Sequence, residues 1–315
     1  MQKPHILIVS DYPGWAYDHV SDAIMHHLTP FFTFSRVHAV NLPLVDHHEF
    51  DLVYVMYWRT DFLERNPIPK RKLIIQVSSF WSWQQKYRLS ATELAEGYLN
   101  RAIAVSVNCP GLYDLIEPHH TNVFLNPSGV DLALFPPQPP RPADAEGPLV
   151  VGWTGSVGEH GDNKGLLDFI RPACDALSNV TLNTITREDD WLPHEQMPNF
   201  YREIDVYLSA SQSEGTPNPA LEAAASARAV VSTPVGIVPM LIDDGYNGFI
   251  IPRTVDAIQN ALRTLRDQRD FCIQMGQNNR KVIESEGWDW QYRAGNYKRM
   301  FDKVLSGRSY KNFVG

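Results

Sequence analysis

"DVYLSASQSEGTPNPALEAAASARAVVST", Asp205 to Thr233, reads as one strand–turn–helix–strand unit. The apolar run "DVYLSAS" suits a buried strand, the Gly215–Asn218 knot breaks it, an alanine-rich helix follows, and the β-branched "AVVST" begins the next strand. Asn218 is a good N-cap and Pro219 a good first helical residue. Glu214 and Gly215 then fall at the rim where the strand leaves the sheet, and Glu222 lies one turn inside the helix. The first-turn amides of Ala220 and Leu221, with the positive end of the helix dipole, form an anion site beside Gly215 and Thr216. Two carboxylates flanking a phosphate-sized cradle suit a nucleotide sugar, which carries a hydroxylated ring on each side of a diphosphate. Either carboxylate alone has a simpler reading, in which Glu222 complements the dipole and Glu214 caps a turn.

The same alternation extends in both directions. On the N-terminal side stand "HILIVSD", a helix from Tyr17 to Leu28, "DLVYVMYW", "LIIQVSS", "IAVSVN" and "NVFLN". Apolar runs of this length suit strands buried on both faces, as in a parallel sheet covered by helices. "FPPQPPRPADAEGP", Phe135 to Pro148, holds neither helix nor central strand and reads as an interdomain linker. Beyond it come "LVVGWTGS", a helix from about Gly165 to Leu177, "VTLNTIT", a helix near Met197 to Ile204, the opening unit and "GFIIP". The expected organisation is a first α/β domain over residues 1–135, a linker at 136–148, a second α/β domain over 149–287, and a last helical stretch at 288–315 that covers the junction. Two doubly wound, Rossmann-like domains would then face a cleft, with ligands outside the carboxyl ends of the strands.

The 315 residues agree with two domains at roughly 150 residues each. The hydrophobic fraction of 43% and charged fraction of 20% exclude a wholly disordered chain. A net charge of -8 argues against a general nucleic-acid partner, because phosphate contacts need a basic face. Lys70-Arg71-Lys72 is a local exception, either a solvated strand entry or a contact for an anionic acceptor or membrane surface. No secretory leader or apolar span is read in the sequence, so a cytoplasmic protein is expected, with peripheral contact at the inner face of the membrane left open. Cys109, Cys174 and Cys272 are too widely spaced for a thiolate metal site and read as buried thiols.

The opening stretch resembles the signature of retaining GT-B glycosyltransferases of family 4, in which "EG" precedes a second glutamate in "E-A", a small-residue helix and a "V-V-S-T" strand. "HEQMPNFYREIDVYLSAS", "VGIVPMLIDDGYNGFIIP" and "NPSGVDLALF" resemble neighbouring family segments, so the likeness runs from about Asn126 to Pro252. Before that it is limited to the order of elements and to "SDYPGWAYDHVSDAI", which resembles a shortened first glycine loop around Gly14. The resemblance implies a metal-independent, retaining hexosyltransferase in polysaccharide, lipopolysaccharide or glycolipid synthesis. It needs no cofactor, and its donor is a UDP- or GDP-sugar, with UDP ahead. Glu214 would face the donor sugar, Glu222 the ribose hydroxyls, and Lys164 of "DNKG" would neutralise the diphosphate as a second catalytic group. Gly155, Gly215, Thr216, Asn218, Ala220 and Leu221 would line the donor. The sequence departs from the family in lacking an arginine at Trp153-Thr154-Gly155 and in carrying Ser78-Ser79 where a histidine is usual. Ala227 and Ala229 replace a usual glycine and proline, and Met240 a usual acid, changes expected to alter packing only.

Gly14, Ser79 and Trp81 mark the expected acceptor side, for a sugar or lipid-linked hydroxyl. Phe80, Trp81 and Trp83 suit either stacking on that acceptor, a lipid contact or packing between domains. The histidine groups "HHL", "DHHEF" and "PHH" lack partners at ligand spacing, and the Asp-x-Asp pattern that holds a cation in other sugar transferases is absent. A nucleotide-sugar epimerase and a non-catalytic glycosyltransferase-like subunit remain as alternatives. The oligomeric state is not legible.

Overall fold

The computed structural model describes residues 2–39, 41, 46–59, 67–141, 147–158, 161–189 and 192–307. Residues 142–146 of the expected linker and the chain end beyond 307 lie outside them. The chain forms two compact units, Met1–Ser128 with Trp290–Gly315, and Gly129–Asp289.

In the first unit, β1 (His5–Ser10), β2 (Thr33–His38), β3 (Leu52–Val55), β4 (Leu73–Val77), β5 (Ala104–Val107) and β6 (Val123–Leu125) form a sheet in the order β2-β1-β3-β4-β5-β6. Every pairing is parallel. β1, β3, β4 and β5 are buried along nearly their whole length, as continuous apolar runs require. β2 is a strand that the apolar-run reading does not find, because Thr33, Ser35, Arg36 and His38 sit on an edge with a neighbour on one side only. The helix Ala16–Leu28 lies against the last helix, Trp290–Leu305, and Tyr297, Met300 and Phe301 complete the core over Ile6, Ile8 and Tyr54.

The second unit holds β7 (Leu149–Gly155), β8 (Val180–Thr186), β9 (Val206–Ser209), β10 (Ala229–Ser232) and β11 (Gly248–Ile250), ordered β11-β10-β9-β7-β8 and again parallel. Its core joins Val151, Trp153, Leu208 and Val231 to Ile258, Leu262 and Met275 of the helices Val255–Asp267 and Arg269–Ser285. The segment expected as one helix from Gly165 to Leu177 is a wide π-type turn, Leu166–Ile170, followed by a short helix, Arg171–Asp175. Pro172 has no amide to donate, so a regular helix cannot run through it undisturbed. The helix expected near Met197 to Ile204 spans Met197–Arg202. The described part of the proline-rich stretch is tied to this unit by Gln138 N donating to Ser226 O at 3.1 Å and Arg228 Nη2 donating to Pro139 O at 2.9 Å.

Ala227 corrects the expectation that its exchange for glycine alters packing only. It adopts φ +57°, in the left-handed region, just past the helix Asn218–Ala225. A Cβ there costs about 1–2 kcal/mol, partly offset by the greater freedom of an unfolded glycine. Ala227→Gly is therefore expected to raise stability by about 1 kcal/mol in urea denaturation. A lowered midpoint would show that the strain lies elsewhere.

Candidate functional site

Both sheets reverse strand order beside their first strand, between β1 and β3 in one unit and between β7 and β9 in the other. Crevices for ligands open outside the carboxyl ends of strands at such points. In the second unit that place is built from the end of β7 at Gly155, the turn Gly161–Lys164, and the loop from Ala210 to Pro217.

The turn and the loop are fastened to each other by one backbone bond and one from the Asn163 side chain. Gln212 N donates to Asn163 O at 2.7 Å, and Asn163 Nδ2 to Ser213 O at 3.3 Å. Gly165 follows with φ +70°, so close to Ala210 that a Cβ would stand 2.6 Å from its carbonyl oxygen. On the other side of the loop Gly236 has φ +55°, and a Cβ there would stand 1.8 Å from Gly215 O. These two approaches bring Lys164 and Glu214 together. Lys164 Nζ lies 2.5 Å from Glu214 Oε1, which also accepts from Ser211 Oγ at 2.8 Å. The pair is partly open, with side-chain exposures of 25% and 15%.

Glu222 sits deeper, on the helix Asn218–Ala225. Its Oε2 accepts from Tyr201 Oη at 2.7 Å and its Oε1 pairs with His194 Nε2 at 3.1 Å. Burial of His194 opposes its charge, yet the hydrogen bond and charge of Glu222, aided by Glu195 and Asp131, hold the imidazole pKa above its ordinary value. Tyr207, buried on β9, has its hydroxyl pKa pushed up by burial first and then by both Glu214 and Glu222, so one ring feels both carboxylates. His194 and Tyr201 stand within the quoted segment "HEQMPNFY", but no pattern in it singles them out.

Two expectations about the helix start are corrected. Asn218 is not the cap; the helix begins at Asn218 after Pro217, and Asn218 Oδ1 is buried with no hydrogen-bond partner. The amides of Ala220 and Leu221 are not open either, because both donate to Pro217 O, at 2.9 and 3.4 Å. The reason is local: the Pro217 carbonyl points along the helix axis and closes the first turn, while Pro219 has no amide to offer. Asn163 Oδ1 and Ser213 Oγ are likewise buried without a hydrogen-bond partner. Buried polar atoms left in this state cost about 1–3 kcal/mol each, and three of them stand on the segments that meet here.

Around this centre, Arg253 donates from Nε to Ala210 O at 2.8 Å and lies 4.3 Å from the Phe169 ring centroid. Gly155 ends β7 against Trp153, and Thr216 is half-buried in the loop. Glu188 reaches across from the end of β8 to accept from Ser156 Oγ, Val157 N and Gly158 N, and the Ser156 hydroxyl first, then the two amides, lowers its pKa to about 2.

The expected acceptor residues lie at the carboxyl edge of the first unit. Gly14, at φ +72°, donates its amide to Asp18 Oδ2 at 2.7 Å. Asp18 also accepts from Ser10 Oγ at 2.8 Å and pairs with His38 Nε2 at 3.2 Å, a network that sequence reasoning missed. Ser79 Oγ accepts from Trp81 N at 3.1 Å, and Lys86 Nζ lies 5.5 Å from the Trp81 ring centroid. Trp83 is buried.

A cavity of about 600 Å³ lies at the opposite, amino end of the second sheet. Its guanidinium groups are committed: Arg141 and Arg269 share Asp205, and Arg228 donates to the carbonyls of Tyr201 and Pro139. The three cysteines are buried, and burial pushes their thiols up to about 11 for Cys109 and about 12 for Cys174 and Cys272. "DHHEF" corrects one sequence reading, since ligand atoms of Asp46, His47 and His48 lie within 4.8 Å of one another on a single short turn. Among the described residues, no helix is long and apolar enough to cross a membrane.

Residues 190–282 match the family model of glycosyl transferases group 1. The matched stretch contains Glu214, Glu222, His194 and Tyr201 and leaves out Lys164. Curated relatives include D-inositol 3-phosphate glycosyltransferases of Kineococcus radiotolerans, 28% identical over 231 residues, and of Corynebacterium kroppenstedtii, 36% identical over 114 residues. These alignments cover 56% and 36% of this chain, and 51% and 25% of the relatives, so the likeness spans about half of those proteins or less. Among solved structures, the sucrose-phosphate synthase of Thermosynechococcus elongatus superposes with a TM-score of 0.76 at 14% identity, covering 97% of this chain and 100% of that one. Anabaena Alr3699/HepE in complex with UDP-glucose gives 0.70 at 14% identity, with 96% and 100% covered. At that identity the likeness speaks of fold: both units are Rossmann-like, and the architecture is that of GT-B glycosyltransferases.

Proposed function

We propose that this protein transfers a sugar from a nucleoside diphosphate donor to an acceptor hydroxyl, with retention at the anomeric carbon and without a metal ion. The observation that carries this reading is the Lys164–Glu214 pair at the carboxyl end of β9, with Asn163 Oδ1, Ser213 Oγ and Asn218 Oδ1 left without hydrogen-bond partners on the segments around it. A diphosphate with a sugar attached supplies acceptors and donors of the kind these groups lack. In this reading the Lys164 ammonium meets the leaving diphosphate, where negative charge grows as the anomeric bond breaks, and Glu214 orients the sugar and offsets its oxocarbenium charge. Glu222 takes the ribose hydroxyls. With the Ala220 and Leu221 amides already engaged, more of the positive field falls to Lys164.

HepE is solved with UDP-glucose, which supports UDP ahead of GDP as the donor base. The acceptor is proposed to be a sugar or lipid-linked hydroxyl, met by the first unit at Gly14, Ser79 and Trp81, in polysaccharide, lipopolysaccharide or glycolipid synthesis. Incubation with a panel of UDP- and GDP-sugars is the test. Slow nucleotide release with one UDP-hexose is expected, and transfer to an added acceptor should give a product whose anomeric configuration matches the donor. Interconversion of sugars without release, or no binding of any nucleotide sugar, would overturn the reading.

A further inference from the structure

We propose that His194 positions Glu222 so that the site takes a ribose diol in preference to a deoxyribose; this rests on the nucleotide reading of Glu222. A carboxylate offers about four acceptor directions, two on each oxygen. Tyr201 fills one on Oε2 and His194 one on Oε1, which leaves one on each oxygen, and two fixed acceptors on one rigid group suit two neighbouring hydroxyls. The two donors differ in setting. Tyr201 is fully buried and packs on Phe135, whose own ring is buried. His194 is a quarter exposed and stands edge-on to the same Phe135 ring at 5.4 Å, so it is the member of the clamp that meets solvent.

Without His194 the Tyr201 bond alone would hold the carboxylate, which could then turn about it. A turning carboxylate still attracts a nucleotide's hydroxyls, but it no longer offers both acceptor directions at once. His194 is thus a positioning residue, and its loss should erode discrimination between one hydroxyl and two. Its charge is set by Glu222 on the helix Asn218–Ala225, Glu195 on its own turn, and Asp131 on the segment after Val130; Tyr201 and Phe135 supply the hydroxyl and ring beside it. Because the folded imidazole pKa is raised, the charged clamp is complete below the ordinary histidine value and weakens as pH rises through the raised one.

Calorimetric titration with UDP, 2′-deoxy-UDP and 3′-deoxy-UDP tests the assignment. The wild-type protein should bind UDP about tenfold more tightly than either deoxy form, the loss of one hydrogen bond to a charged group. His194→Ala should narrow that ratio to about two- to threefold, and His194→Gln, which keeps a donor, should restore most of it. In turnover assays the alanine variant should raise the donor KM and leave kcat close to wild type. A packing defect alone would weaken all three ligands alike, so an unchanged ratio in His194→Ala overturns the proposal. If that variant does not fold, the pH profile decides: UDP affinity of the wild type should fall as pH rises through the His194 pKa while His194→Gln stays flat, and a flat wild-type profile overturns it. UDP binding indifferent to Glu222→Gln would overturn the nucleotide reading itself. A loss in Glu222→Gln with the ratio unchanged in His194→Ala overturns the positioning role alone.

Discussion

Lys164→Ala is expected to lower turnover about a hundred- to thousandfold, the usual loss for one preorganised donor at a site of developing charge, while the chain stays folded. The fold should survive because the turn Gly161–Lys164 is held by Gln212 N donating to Asn163 O and by the Asn163 side chain donating to Ser213 O, not by the ammonium. An ion pair whose partners are 25% and 15% exposed adds at most about 1 kcal/mol after screening. The kinetic loss should be severe because no arginine stands at Trp153-Thr154-Gly155, and Arg253 is occupied with Ala210 O and the Phe169 ring. Activity is also expected to withstand excess EDTA, since no Asp-x-Asp pair is present to hold a cation against the diphosphate. Inhibition by the chelator that Mn²⁺ reverses would replace Lys164 with a metal ion as the main positive charge. A fully active Lys164→Ala would move that role to Arg253 or Arg187.

The parts of this molecule that could be read from its sequence are those in which one physical requirement dominates. Strands buried on both faces must be apolar throughout, so β1, β3, β4, β5, β7 and β9 announce themselves. β2 does not, because an edge strand with Arg36 and His38 along it has no such requirement. Glu214 and Glu222 stand out by their place around a Gly/Pro/Asn turn. Their neighbours were less visible. His194 and Tyr201 reach Glu222 from 28 and 21 residues away, and Ser10, Gly14 and His38 meet at Asp18 across two strands and a helix. Spacing in sequence carries no trace of a contact that the fold makes between separate elements. The helix start misled for a different reason: Asn218 and Pro219 satisfy the usual capping preferences, but Pro217 supplies the carbonyl that ends the competition for the first amides. Ala227 shows the reverse, since its left-handed backbone retains the conformation that glycine favours while the residue does not.

The two carboxylates should separate by kinetic effect. Glu214→Gln is expected to lower turnover about a hundredfold and to leave UDP affinity within about twofold, because Glu214 is paired with Lys164 at the rim and is assigned to the sugar rather than the nucleoside. Glu222→Gln should do the opposite, weakening UDP about ten- to a hundredfold, as expected when a hydrogen bond to a charged group is lost, with turnover at saturating donor little changed. Their surroundings make the substitutions unequal in stability as well. Glu214 accepts from Lys164 and Ser211 in a partly open place, whereas Glu222 is itself buried and holds the hydroxyl of a fully buried Tyr201 and the ring of a partly exposed His194. Glutamine has a single acceptor oxygen, so if that oxygen takes the Tyr201 hydroxyl its amide NH2 faces His194 in place of Oε1, and Glu222→Gln should also lose about 1–3 kcal/mol of stability. That loss should be largest below the raised His194 pKa, where the imidazolium no longer has its carboxylate, and should shrink as pH rises through it. Calorimetry with UDP, turnover with the best donor and urea denaturation at two pH values together read all three effects. If Glu214→Gln weakens UDP and Glu222→Gln slows turnover instead, the roles of the two carboxylates are exchanged, and the ribose lies beside Lys164 at the carboxyl end of β9.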